Sequence, residues 1–92
     1  MIIEFDPAKS ERNVQERGLP FDLVAEFEWD SCQTYEDTRF DYPEPRRVSV
    51  GYIRGRLHVV CHTPIRDGLR VISLRKANKR EVRRYEEKKA AH

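Results

Sequence analysis

The sequence predicts an α+β domain, with helices packed on one face of an antiparallel sheet and the element order β-α-α-β-β-β-α. Two observations predict this class. In the second half of the chain, residues 46–53, 56–63 and 69–75 alternate apolar with polar residues or are rich in β-branched residues, as strands are. In the first half, apolar residues recur at helical spacings. The 92 residues suffice for one small domain, so we expect a single domain over residues 1–92.

The first half begins with a strand and a helix whose ends are marked by capping residues. Residues 2–5, IIEF, predict a short strand, and residues 6–18 predict the helix. Asp6 can cap the helix, Pro7 suits its first position, and Gly18 suits the residue just past its end. The helix has few apolar positions, so we expect it to lie on the surface of the domain.

A second short helix is expected over residues 19–29. Its apolar residues fall mostly at helical spacings and would supply core: Phe21, Val24, Ala25 and Phe27. The segment that follows is rich in turn-forming residues and contains a candidate strand at 32–35. Pro43 and Pro45 then make a stiff, extended entry to the strands of the second half.

The second half is expected to form an antiparallel meander of three strands, followed directly by the last helix. The sequence RGR at 54–56 suits a tight hairpin turn, and Asp67-Gly68 is a good signal for a second one. The last helix should begin near Asn78, because Asn78 and Glu81 fit a capping box.

The two faces of the last hairpin can be sorted if Thr63 pairs with Leu69, because side chains alternate along a strand. One face would then carry Leu57, Val59, Cys61, Val71, Ser73 and Arg75. The other would carry His58, Val60, His62, Arg70, Ile72 and Leu74. Both faces mix apolar and polar side chains, so the sequence does not decide which one the helices cover.

Charge is distributed unevenly along the chain, although the net charge is only +2. Residues 1–45 hold 4 Lys and Arg against 12 Asp and Glu, a balance of −8. Residues 46–92 hold 14 Lys and Arg against 4 Asp and Glu, a balance of +10. Such asymmetry suggests an anionic partner for the basic half. The alternative is that the two halves only attract each other or form solvated faces.

Several classes of protein are disfavoured by what the sequence lacks. No stretch approaches the roughly 20 apolar residues that span a bilayer, and the N-terminus MIIEFDPAKSE does not resemble a secretory signal, so we expect a cytoplasmic protein without membrane contact. Cys32 and Cys61 have no metal-ligand spacing and are expected to be free thiols. The absence of a Gly-rich phosphate loop, a Cys/His cluster and a triad pattern argues against a zinc or nucleotide-cofactor enzyme, so no cofactor and no metal are expected.

Three stretches resemble BrnT, the toxin of a bacterial type II toxin–antitoxin system: FDPAKSERNVQERGLPFDLVAEFEW, RLHVVCHT and RVISLRKANKREVRRYEE. The last stretch is the most specific, with an I-S-x-R-x-A core followed by Glu and Tyr on a helix. The resemblance implies a RelE-like fold and an endoribonuclease that arrests translation by cleaving RNA. It also implies neutralisation by a BrnA-like antitoxin with a DNA-binding domain. Operator DNA would then be bound only through the antitoxin, and the complex would be a heterotetramer around an antitoxin dimer.

Cleavage of RNA without a metal requires a base for the 2′-hydroxyl, cations for the charge that develops on the phosphate, and an acid for the leaving 5′-oxygen. Arginine suits the second task because its guanidinium binds phosphate in a bidentate way. The candidates are Arg66, Arg70 and Arg75, of which Arg75 matches the family motif. The basic residues that would hold the RNA backbone are Lys76, Lys79, Arg80 and Arg83.

Four further side chains are candidates for proton transfer, each with a structural alternative. Glu81 and Tyr85 also match the family motif. The structural alternative for Glu81 is that it is merely a cap partner, and that for Tyr85 is that it is the core contact of the last helix. His58 and His62 alternate onto one strand face about 13 Å apart, too far to chelate one ion. Either could shuttle a proton near neutral pH, and His62 is retained as a catalytic candidate.

A non-catalytic module that binds nucleic acid or a partner protein fits the charge asymmetry equally well. A salt-dependent association with RNA that leaves the RNA intact would favour that alternative.

Overall fold

The computed structural model describes residues 1–91, which form one five-stranded sheet, two α-helices and two short 3₁₀-helices. The strands are β1 (Ile2–Glu4), β2 (Gln33–Glu36), β3 (Arg47–Ile53), β4 (Arg56–Ile65) and β5 (Gly68–Lys76). The α-helices are α1 (Pro7–Arg17) and α2 (Lys79–Ala90), and the 3₁₀-helices span Phe21–Glu26 and Trp29–Ser31. The predicted α+β class is confirmed. Neither α1 nor α2, within residues 1–91, has the length and apolarity that a membrane-spanning helix requires.

The sheet is mixed, with the strand order β1-β5-β4-β3-β2. The predicted antiparallel meander of β3, β4 and β5 is confirmed. β2 adds an antiparallel strand at one edge, and β1 adds a parallel strand beside β5 at the other. The parallel pair is close, because a Cβ at Gly68 would overlap the carbonyl oxygen of Ile2. Glycine at position 68 therefore permits β1 to pair.

The predicted element order is wrong at two points. Within residues 19–29 the chain forms the 3₁₀-helix Phe21–Glu26 and the start of a second one instead of an α-helix. The predicted order also left out the candidate strand at 32–35, which the structure confirms as β2. The core residues Phe21, Val24 and Phe27 are spaced by three, which matches the three residues per turn of a 3₁₀-helix.

The helix ends follow the predicted capping residues. The Asp6 carboxylate accepts a hydrogen bond from the Ala8 N–H at 2.9 Å, and Gly18 ends α1 in the left-handed conformation at φ 70°. At the start of α2, Asn78 and Glu81 form the complete capping box. Local sequence therefore determines where both α-helices begin.

A β-bulge in β5 changes the predicted sorting of the hairpin faces. Cys61 pairs with Ser73, but His62 pairs with Val71, so Ile72 is an extra residue on β5. Thr63 consequently pairs with Arg70 and not with Leu69, the pairing on which the predicted sorting depended. The predicted positions of Arg70, Val71 and Ile72 are therefore wrong, and each lies on the face opposite to the predicted one.

The prediction that the helices pack on one face is also wrong, because each face of the sheet carries one α-helix. On the face that we call the α1 face, Val60, Val71 and Leu74 pack with the first 3₁₀-helix residues Phe21 and Val24. On the opposite α2 face, a second apolar cluster surrounds Tyr85 of α2: Val48, Val50, Leu57, Val59 and Ala77. The mixed composition of both strand faces reflects this two-sided burial.

Candidate active site

The part of the α2 face that α2 leaves uncovered forms a groove with a volume of about 590 Å³. Strand pairing places Tyr35, Val48, Cys61 and Ser73 in one row across its floor. Arg75 lies two residues further along β5, beside Val59. The groove is bounded by β2 and the β2–β3 loop, which we define as residues 37–46, on one side and by Arg75 on the other.

Arg75 is held at the edge of the groove by two hydrogen bonds to Glu81. Its Nη1 and Nη2 atoms each lie 2.7 Å from one carboxylate oxygen of Glu81. The Glu81 side chain is only 17% exposed, whereas that of Arg75 is 39% exposed. The Arg75 guanidinium lowers the pKa of Glu81 by hydrogen bonding, and Glu81 in turn raises the pKa of Arg75. The pair is therefore charged at neutral pH, with part of the guanidinium open to a ligand.

Glu81 also fixes the first turn of α2. Its Oε1 atom accepts the Asn78 N–H at 2.9 Å, and the Glu81 N–H donates to the Asn78 side chain at 2.8 Å. The structural alternative for Glu81, that of a cap partner, is therefore confirmed. The same carboxylate connects the helix start to Arg75, a contact that the sequence pattern did not indicate.

The β2–β3 loop is closed and organised by Asp37. The Asp37 N–H donates to the Arg46 carbonyl oxygen at 2.8 Å, which joins the two ends of the loop. The Asp37 carboxylate, only 2% exposed, accepts bonds from Arg39 Nε at 2.9 Å and Arg39 Nη2 at 2.8 Å. Hydrogen bonds from Arg39 lower the pKa of Asp37 to about 2.

Arg39 and Arg46 bring two further cations to the groove, and neither was among the candidates from sequence. Both line the groove together with Arg75. The Arg46 guanidinium carbon lies 4.1 Å from the centre of the Tyr42 ring, a cation–π contact that orients it. The segment carried a signal in its mixture of arginine, acidic and aromatic residues, but its turn-rich composition did not indicate where those side chains would point.

Arg66 and Arg70 lie away from Arg75. Arg66 is exposed in the turn between β4 and β5, at the opposite end of β5 from Arg75. Arg70 pairs with Glu4 and Glu44, each at 3.3 Å. The structure therefore does not bring the three predicted arginines together.

Tyr85 belongs to the core and not to the groove that holds Arg75. Tyr85 is only 2% exposed, and its hydroxyl donates to the Ser31 carbonyl oxygen at 2.7 Å. The ring also packs edge-on against Tyr52, with centroids 5.5 Å apart. The predicted core contact of α2 is confirmed, and the hydroxyl is already engaged.

His62 lies on the α1 face, on the other side of the sheet from Arg75. It is 5% exposed, its Nε2 atom is 2.8 Å from the Ser49 hydroxyl, and Trp29 packs against its ring. Burial lowers the pKa of His62 to about 4. His58 shares this face and its pKa is also lowered, chiefly by burial. Neither histidine can therefore transfer a proton in the groove, and the structure does not bring His62 together with Arg75.

Because His62 is buried and neutral, we expect the protein to lose stability in mild acid. The folded-state pKa of about 4 lies below the ordinary value of 6.5, so the unfolded chain binds the proton first as the pH falls. The contribution of His62 to the free energy of unfolding should be complete above pH 6.5 and should decrease progressively down to about pH 4. Urea denaturation at several pH values would measure this slope. A His62→Gln variant should show a shallower slope over the same range, and an unchanged slope would contradict the assignment.

The four predicted RNA-binding residues are all exposed, but none lines the groove with Arg75: Lys76, Lys79, Arg80 and Arg83. On α2, Arg84 lies closer to the groove, because it lines an adjoining recess with Tyr35 and Glu81.

Cys61 and Cys32 are free and half-buried, as predicted for thiols, and burial raises the pKa of Cys61. Within residues 1–91, no three His, Cys, Asp or Glu side chains lie close enough together to hold a metal ion.

A family model described as the ribonuclease toxin BrnT of type II toxin–antitoxin systems matches residues 5–81. No curated protein and no solved structure matches the chain at a significant level. The matched range includes the groove floor, the β2–β3 loop, Arg75 and Glu81.

Proposed function

The chain belongs to the BrnT family of ribonuclease toxins of type II toxin–antitoxin systems, and from this premise we propose that the groove on the α2 face is where it cleaves RNA. The observation that carries this proposal is the guanidinium of Arg75, which Glu81 fixes at the edge of the groove while part of it stays open. A rigidly placed cation is what a developing phosphate charge requires.

We propose that the enzyme is an endoribonuclease that needs no metal ion and uses the 2′-hydroxyl of the substrate as nucleophile. The 2′-hydroxyl gives up its proton and its oxygen attacks the adjacent phosphorus. The bond to the 5′-oxygen breaks, that oxygen takes up a proton, and a 2′,3′-cyclic phosphate and a 5′-hydroxyl result. Arg75 would stabilise the extra negative charge on the phosphate, while Arg39 and Arg46 would hold neighbouring phosphates.

Glu81 and Asp37 act in this proposal by positioning arginines. Each carboxylate is bound by an arginine, and each has its pKa lowered as a result. A carboxylate with such low proton affinity is a poor general base. The two acidic groups instead restrict Arg75 and Arg39 to one orientation, which lowers the entropic cost of binding phosphate.

Membership of a type II toxin–antitoxin family implies that an antitoxin protein is the partner of this chain. We propose that the antitoxin is BrnA-like, that it covers the groove, and that the complex is a heterotetramer around an antitoxin dimer, located in the cytoplasm and bound to operator DNA through the antitoxin. We also propose that the fold is of the RelE type. The groove offers a basic surface that an acidic segment of the antitoxin could occupy in place of RNA.

Incubation of the purified protein with single-stranded RNA in the presence of EDTA tests this mechanism. We expect cleavage to persist in EDTA, with 2′,3′-cyclic phosphate ends on the 5′ fragments. An RNA that is 2′-O-methylated at every nucleotide should bind but remain intact. Cleavage of the methylated RNA would contradict the role of the 2′-hydroxyl. Salt-dependent binding with unmodified RNA left intact would favour a non-catalytic binding module.

A further inference from the structure

Two exposed aromatic rings lie in the groove and in an adjoining pocket. Tyr35 lines the groove itself and is 51% exposed. Phe40 is 69% exposed and lines a pocket along the β2–β3 loop, which shares Arg39 and Arg46 with the groove. Tyr35 pairs with Val48 in the sheet, so its ring projects from the same face as Arg75. The proposed RNA site therefore has aromatic surface directly beside its phosphate-binding cations.

The loop that carries Phe40 is fixed before any ligand binds. Asp37 closes the loop through its bond to Arg46 and also holds Arg39. Tyr42 supports the Phe40 ring edge-on, with centroids 5.8 Å apart, and is itself held by Arg46. An aromatic side chain on such a loop loses little conformational entropy when it contacts a ligand.

We propose that Tyr35 and Phe40 are a stacking platform for unpaired nucleobases, so that the enzyme selects single-stranded RNA. This inference rests on the proposed function and specifies the substrate class of the same groove. Bases in a single strand expose their faces, and they stack on aromatic side chains while cations hold the backbone. In duplex RNA those faces are already covered by neighbouring base pairs, so the rings would have nothing to stack on.

The surroundings of the two rings favour bases over an apolar protein segment as their occupant. The apolar surface is small, because Phe40 contacts only the half-buried Tyr42 ring among the aromatic residues and its neighbours in the chain are the exposed Arg39 and Asp41. A stable protein interface needs about 800 Å² per partner with an apolar centre, which these few rings do not provide. Guanidinium groups and exposed rings in the same groove and the adjoining pocket instead suit the phosphates and bases of a single strand.

Fluorescence of 2-aminopurine in a 2′-O-methylated single strand tests the platform directly. Moving this base along the oligonucleotide should reveal positions that are quenched on binding to the wild type. Tyr35→Leu and Phe40→Leu should each remove quenching at one position and weaken binding about 5- to 150-fold. Tyr35→Phe, which keeps the ring, should behave as the wild type does. Ile2→Ala is a matched control, since Ile2 is apolar and 55% exposed but lies on the opposite edge strand.

The outcomes separate this inference from the proposed function. A wild-type protein that neither binds nor cleaves single-stranded RNA would overturn both. If the wild type cleaves single-stranded RNA but the Leu variants bind and quench as the wild type does, the stacking platform alone would be overturned. Equal affinity for duplex and single-stranded RNA would do the same. So would Leu variants that keep RNA affinity but bind the antitoxin more weakly, because the rings would then belong to the protein interface.

Discussion

Arg75→Ala is expected to slow RNA cleavage about 30- to 1000-fold, because a fixed cation of this kind contributes roughly 2–4 kcal/mol of transition-state stabilisation. Binding of RNA should fall much less, since Arg39 and Arg46 remain in the groove. Arg75→Lys should not restore the full rate. A guanidinium can make two parallel bonds to the Glu81 carboxylate and still donate to phosphate, whereas an ammonium group cannot make the paired contact. Single-turnover cleavage of a labelled RNA, with growth arrest on induction as a second readout, measures the effect.

Arg54 provides a matched control for this variant. It forms a bidentate contact with Glu26, at 2.9 and 2.7 Å, much as Arg75 does with Glu81. Arg54 does not line the groove, so Arg54→Ala should leave the cleavage rate unchanged. A thermal melt of each variant identifies loss of folding as a cause of lost activity. A folded Arg75→Ala protein that cleaves at the wild-type rate would end the proposed role of Arg75.

Leu74→Ala should cost about 2–5 kcal/mol of unfolding free energy, the range for truncating a fully buried leucine. Leu74 is 0% exposed and packs in the cluster between β5 and the first 3₁₀-helix. The total free energy of unfolding of folded proteins is about 5–15 kcal/mol, so the variant should lose a large share of its stability. The midpoint of thermal unfolding should fall by about 10 °C or more.

Ile72 is the control for Leu74, because it lies two residues away on the same strand. The bulge leaves Ile72 half-buried on the groove face, so Ile72→Ala should cost only about 1 kcal/mol. Urea denaturation of both variants gives the comparison. An Ile72→Ala cost equal to that of Leu74→Ala would contradict the assignment of the two faces.

The parts of the fold that depend on neighbouring residues could be predicted from the sequence. Asp6, Gly18 and Asn78 cap helices through contacts within a few residues, so their patterns indicated the helix ends. The meander followed from β-branched segments joined by turn residues such as Arg54-Gly55, both of which adopt positive φ.

Other features depend on tertiary contacts that local patterns do not contain. The parallel pairing of β1 with β5 joins Ile2 to Gly68 across most of the chain. The bulge at Ile72 inserts one residue, and one residue is enough to exchange the faces of every side chain beyond it. The alternation pattern therefore separated His62 from Arg75 correctly, but it could not place Arg70, Val71 and Ile72, which lie before or at the bulge.

The candidate site was predictable only in part for the same reason. The family motif indicated Arg75 and Glu81, and the structure joins them in one ion pair. Arg39 and Arg46 enter the groove because buried Asp37 and the Tyr42 ring orient them. Loop side chains are directed by such contacts, which composition does not encode.

The pairing of β1 with β5 has a consequence for how the toxin is made on the ribosome. Ile2 is synthesised before its partner Gly68, which comes 66 residues later in the chain. The nascent chain must therefore close its largest loop late, a step that is entropically costly and slow. Arg75 and Glu81 leave the ribosome later still. A growing chain thus lacks both the finished sheet and the arginine that we propose for catalysis, so the proposed site stays incomplete until β5 and the start of α2 have been synthesised.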